Sequence, residues 1–221
     1  MVVLRYDEVD STQNVARERA RAGALHGTVV IAERQTAGRG RLGRTWASEA
    51  GQNLTFSVVL RPRGPARDAP LLTLGAAAAL AARFDVLVKW PNDVVDGAGR
   101  KIAGLLGELE TDGDRVRWVV LGVGLNVNQT RFPDLPNAAS LAMVRGRPLE
   151  RESVLGAAVH AIVGGAEDPG RLDVWRARAH TLGRHVRVGG VEGVAEALRD
   201  DGALIVGGVP VTTGEIGMEG G

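Results

Sequence analysis

The 221-residue chain contains no cysteine, which excludes disulfides, thiolate zinc sites and cysteine nucleophiles together and fits a reducing compartment. Aromatic side chains are few and scattered, one tyrosine, three phenylalanines and four tryptophans, too sparse for the stacked platform of a single-stranded nucleic-acid binder. Neither sign of charge dominates: twenty-seven basic against twenty-six acidic residues leave +1, so no chain-wide basic field argues for bulk nucleic-acid binding. Long apolar runs are also missing. The most apolar stretch, 71–82, is too short and alanine-rich to span a bilayer, and charge enters too early at Arg5 and Asp7 for a signal peptide. The four histidines lack metal-ligand spacing, so no metal site is expected. These absences describe a soluble, cytoplasmic protein of one main domain with a small appendage. Lysine is scarce as well. Only Lys89 and Lys101 occur among the twenty-seven cations; base composition accounts for the scarcity, yet a compact ammonium serves a crowded reaction centre as a planar guanidinium cannot.

What is present centres on residues 34–46. Arg34, Arg39, Arg41 and Arg44 alternate there with Gly38, Gly40 and Gly43, and no acidic residue intervenes between Glu33 and Glu49. Glycine lets backbone N–H groups approach an anion, and guanidinium groups hold phosphate or carboxylate oxygens with charge-assisted hydrogen bonds; a mobile, solvated basic loop is the plain alternative. The stretch fits both G-x-G-x-x-G and an arginine-substituted P-loop, but each motif needs a helix to start at once. By Asn53 the sequence already alternates like a strand, so neither a Rossmann nor a P-loop reading survives. The loop must bind with side chains, ordering when a ligand arrives.

In chain order, 2–6 reads as a strand and Asp10-Ser11-Thr12-Gln13 as a capped helix start running to Gly23. Ser11 and Thr12 serve either as caps or as ligand contacts. Residues 28–33 form a strand, 53–60 a strand with one buried face, and 68–84 a buried helix. A short strand, 86–88, breaks at Lys89-Trp90-Pro91-Asn92-Asp93 into a turn where reactive groups concentrate. Strands over 102–110 and 117–128 follow, joined at Asp112-Gly113. In the second of these, Val119, Leu121, Val123, Leu125 and Val127 point to a core while Gly122, Gly124, Asn126 and Asn128 point away. That second face suits a flat ligand with amides free to bond it, or else a bulge or close helix. Helices are expected over 148–163 and 172–179, then short strands over 185–188, 191–198 and 203–206 that read as a separate small β domain.

Four motifs in order, GRGRLGRTW at 38–46, KWPND at 89–93, RKIAGLLGE at 100–108 and GVGLNVN at 122–128, resemble biotin protein ligases, also called biotin–[acetyl-CoA carboxylase] ligases. The similarity runs through the whole chain. It implies an α+β fold: a class II synthetase-like catalytic domain over 1–180, its mixed β-sheet flanked by helices, and an SH3-like β-barrel over 181–221. The implied reaction joins biotin to ATP as biotinyl-5′-AMP, with Mg²⁺ on the phosphates, and passes biotin to a lysine of a carboxylase's biotin carboxyl carrier domain. By resemblance, biotin contacts fall on Ser11, Thr12, Gln13, Gln35, Arg39, Gly40, Arg41, Lys89 and Gly104, and nucleotide contacts on Arg44, Trp46, Asn92, Lys101 and Asn126. Lys89, Arg39 and Arg41 are the implied catalytic cations. Position 13 departs, since the family commonly has Asn there. Beginning at the catalytic strand, the sequence reads as a ligase without the DNA-binding domain of repressor members. A related lipoate ligase is the rival enzyme, and a nucleic-acid module using the basic loop the rival from another class. Homodimer formation is left open.

Overall fold

A computed structural model describes residues 2–218. Its main sheet has seven strands in the order β1-β2-β3-β7-β6-β5-β4: β1 (Val3–Val9), β2 (Thr28–Gln35), β3 (Leu54–Leu60), β4 (Leu87–Lys89), β5 (Asp93–Val95), β6 (Lys101–Asp112) and β7 (Arg115–Leu125). Only β1 and β2 run parallel and the other neighbours are antiparallel, so the sheet is mixed. Helix α1 (Thr12–Arg21) crosses between β1 and β2, and α2 (Ala69–Arg83), apolar nearly all round, links β3 to β4. After β7 come α3 (Leu141–Arg145), α4 (Arg151–Gly165) and α5 (Arg171–Ala177).

The sheet is covered on both sides. Alternation in β7 sends Val119, Leu121, Val123 and Leu125 into the large core shared with α2 and α4, whereas Trp118 and Val120 join Ala16 and Ala20 of α1 in a second core on the opposite face. Residues 53–60 therefore depart from expectation: every residue of β3 is buried. On the polar face of β3, α1 covers Ser57, with Thr12 Oγ1 2.9 Å from Ser57 Oγ, while Thr55 lines a cavity. Ser11 is the α1 N-cap, its Oγ accepting from Gln13 N. Arg61, on the strand exit, donates to the carbonyl of Ala20 in the last turn of that helix, to that of Ala24 just beyond it and to Arg117 O on β7.

Strands β8 (His185–Val188), β9 (Val191–Leu198), β10 (Leu204–Val206), β11 (Val209–Val211) and β12 (Gly217–Met218) make a second, wholly antiparallel sheet in the order β11-β10-β9-β8-β12. Among the described residues no ladder joins its edges into a closed barrel. Its Val186, Leu204 and Val206 belong to the same apolar core as α2, and Trp90, 2% exposed, donates its indole N–H to Gly202 O. Among the described residues no helix is long and apolar enough to cross a membrane.

Candidate functional site

Strand register lays the site out in one line. Lys89 lies opposite Asp93, Asp93 opposite Gly104, Gly104 opposite Gly124 and Gly124 opposite Thr55. Residues directly opposed across a ladder share a face, so a row bare of side chains at its two glycines runs from a lysine on β4 to a threonine on β3. Above this row opens a cavity of about 780 Å³. All fourteen residues singled out from the sequence line it, from the β1–α1 junction, the basic loop, the β4–β5 turn, β6 and the end of β7.

Each is held differently. The backbone N–H of Thr12 donates to Gln35 Oε1 (2.7 Å), tying the α1 start to the strand that delivers the loop. Gln13 lies over Gly122 and donates its amide to Leu106 O at 3.0 Å; the longer side chain thus reaches across to β6. The basic loop folds back on itself, with Arg39 bridged to Thr45, Gly40 N bonded to Arg44 O (2.7 Å) and Trp46 N to Gly38 O (3.0 Å). No α-helix follows it. Gly38 has no room for a Cβ, which would fall 2.4 Å from Trp46 O. At the tip, Leu42 adopts φ 55° and is 73% exposed.

The cations divide into two groups. Arg39 pairs with Glu108 (2.9 Å), Lys101 with Asp93 (2.7 Å) and Arg44 with Glu215. Arg41 donates to the neutral Asn92 Oδ1 at 3.2 Å, and Asn92 in turn donates to Leu105 O. Among the described residues neither Arg41 nor Lys89 has an acidic partner. Behind Lys89 sits His180, 5% exposed, whose Nε2 lies 2.6 Å from where a Cβ on Gly99 would stand. Burial holds the His180 pKa below the usual imidazole value, and the charges of Arg184 and Lys89 act the same way against a smaller opposing effect of Asp96.

The glycine face is occupied by the protein's own ring. A Cβ on Gly124 would meet Trp46 Cε2 at 2.0 Å, and Lys101 Nζ stands 5.6 Å from the indole. The Trp46 N–H is buried without a partner. The expectation that the asparagine amides of this strand stay free needs correction: Asn126 donates to Ala139 O, and Asn128 is bonded both ways to Leu149. These amides instead fasten the segments after β7, because buried carbonyls there need donors.

Sequence reasoning passed over two walls of the cavity. Residues 132–138 and Glu215 line it, the former docked through Lys101 N to Asn137 O and Ala139 N to Lys101 O. Two prolines and a phenylalanine in a segment too short for an element were the available signal; for Glu215 there was none.

Fold and cavity define an α+β domain with a cation-lined cavity on one face of a mixed sheet, bordered by a glycine–arginine loop. The chain belongs to the Biotin/lipoate A/B protein ligase family, which matches residues 6–126. It is 35% identical over 234 aligned residues to the biotin–[acetyl-CoA-carboxylase] ligase of Mycobacterium tuberculosis, covering 95% of this chain and 86% of that one. To the bifunctional ligase/repressor BirA of Bacillus spizizenii it is 42% identical over 159 residues, 67% of this chain. The alignment takes in 49% of that protein, so the chain spans about half the length of such relatives. The solved biotin protein ligase from Aquifex aeolicus in complex with biotin and ATP superposes with a TM-score of 0.79 at 28% identity, covering 99% of this chain and 98% of that one.

Proposed function

We propose that the protein is a biotin–protein ligase, which activates biotin with ATP and transfers it to a lysine of a biotin carboxyl carrier domain of acetyl-CoA carboxylase or a related carboxylase. The observation that carries this is the pair of cations that line one cavity, Arg41 and Lys89, with no acidic partner among the described residues. The first step brings a carboxylate against a triphosphate. Two unit charges 4 Å apart repel by about 4 kcal/mol near a protein surface, and cations lining the cavity offset that penalty. The carboxylate attacks the α-phosphorus and pyrophosphate leaves. In the second step a neutral lysine amine attacks the acyl carbon and AMP leaves.

Biotin is assigned to Ser11, Thr12, Gln13, Gln35, the Arg39-Gly40-Arg41 segment, Lys89 and Gly104, and the nucleotide to Arg44, Trp46, Asn92, Lys101 and Asn126. Their common cavity supports placing both sets in one site; the division between the two ligands follows the motif resemblance. Mg²⁺ enters on the triphosphate, as is usual for this ion; among the described residues no cluster of three acidic or histidine side chains could hold a metal. Residues 1–180 are read as the catalytic domain and 181–221 as an SH3-like unit, a division supported by the two separate sheets.

The deciding experiment is exchange of labelled pyrophosphate into ATP. Exchange that depends on biotin is expected. Exchange driven by lipoate and not by biotin would move the protein to the other branch of its family, and no exchange with either acid would overturn the adenylation reading.

A further inference from the structure

We propose that Glu108 and Asn14 form a seat for Arg39 and thereby act as positioning residues for the basic loop, an inference that rests on the loop's proposed role in holding biotin. Neither residue lines the cavity. The loop enters on backbone bonds, Thr36 N to Val9 O and Ala37 N to Asp10 O, and the next group to touch the body of the protein is the Arg39 guanidinium. Its Nη2 donates to Asn14 Oδ1 at 3.0 Å and pairs with Glu108 Oε1 at 2.9 Å. One arginine of the loop is therefore held by the protein, while Arg41, two residues on, meets only a neutral amide and stays available to an anion.

Both acceptors are shared, and that sharing makes the seat adjustable. Arg17, one turn along α1 from Asn14, donates to the same Asn14 Oδ1 at 3.0 Å and reaches Glu108 Oε2 at 3.5 Å. Asn14 is oriented by donating its own amide to Asp10, whose carboxyl that bond holds below the usual carboxylate range. Two guanidinium groups thus draw on one carboxylate, each at its own oxygen, and share one amide oxygen, so each weakens the other's hold on the seat. Arg21 is paired separately, with Glu110, so Arg17 has no second carboxylate of its own among the described residues. A seat of this kind grips moderately, because partly exposed ion pairs are weak. It leaves the loop anchored at its first arginine yet free to move at its tip.

Competition makes opposite-signed predictions. Glu108→Gln removes the charge and keeps the shape; it should loosen the loop. Arg17→Gln removes the competitor; it should tighten the loop, where a merely structural role would have it loosen. The readout is thermolysin cleavage of the ligand-free protein before Leu42, the exposed apolar residue at the loop tip, with thermal unfolding of each variant recorded alongside. Cleavage about two- to fivefold faster in Glu108→Gln and slower in Arg17→Gln is expected. An unchanged rate in Glu108→Gln, or faster cleavage in both variants, would overturn the seat. The KM for biotin is then measured and should rise in Glu108→Gln, with kcat within about twofold of the parent. Cleavage shifts of the expected signs without any change in KM would uphold the seat and count instead against the loop's role in holding biotin.

Discussion

Replacing Gly124 with alanine tests the site at its most confined point. The residue lies outside the positive-φ region, so the backbone accepts alanine and the fold should form. The added Cβ, however, would stand 2.0 Å from Trp46 Cε2 and 2.2 Å from Cζ2. Carbon atoms rest about 3.5–4.0 Å apart, so the indole must withdraw by about 1.5 Å or swing out. Little stability should be lost, because the displaced ring gives up apolar contact while its buried, unpartnered N–H regains water, and an unsatisfied buried donor costs about 1–3 kcal/mol. Activity should suffer far more. A misplacement of about 1 Å in a positioning group can cost about 10²-fold, near 2.7 kcal/mol in barrier, and kcat/KM for ATP in pyrophosphate exchange is expected to fall by that order. Trp90, Trp118 and Trp175 are all buried, so acrylamide quenching of tryptophan fluorescence reports chiefly on Trp46 and should increase in the variant. Exchange within about threefold of the parent, together with unchanged quenching, would refute the claim that the indole sits on this glycine and matters to nucleotide binding.

Three further expectations follow from the same geometry. Lys89→Ala should slow biotin-dependent pyrophosphate release by about 10²–10³-fold, the usual loss of one preorganised electrostatic donor; near-parental release would remove Lys89 from the mechanism. Arg61→Ala strips a shared donor from three backbone carbonyls and should cost about 2 kcal/mol, lowering Tm by about 4–8 °C in a chain of this size, which calorimetry will read. His180, whose folded pKa lies below its unfolded value of about 6.5, binds fewer protons folded than unfolded between those two values, so stability must rise with pH across that window. The contribution is complete above the unfolded pKa and is lost as pH falls through the folded one; denaturant midpoints for the parent and His180→Phe between pH 5 and 8 should converge toward the acid end, and parallel curves would exclude His180 as the source.

The sequence by itself determined the periods, the punctuation and the kinship. Alternation over 54–60 and 117–127, the near-continuous apolar helix at 69–83 and the proline break after Lys89 are local consequences of how each element buries a face, and they are legible without coordinates. The four motifs likewise identify the family, because they place particular side chains at particular backbone turns. Tertiary structure decided which of those side chains remain available. Nothing near Arg39, Arg41 or Arg44 in the chain distinguishes them, yet one is seated on Glu108, one faces a neutral amide and one meets Glu215. The cover over Ser57 of β3 depends on α1 crossing above it, and the bare row from Lys89 to Thr55 exists only in the register of five strands. The physical reason is range. Burial periodicity is written in neighbouring residues, whereas neutralisation of a charge depends on acids that only the folded chain brings within a few ångströms.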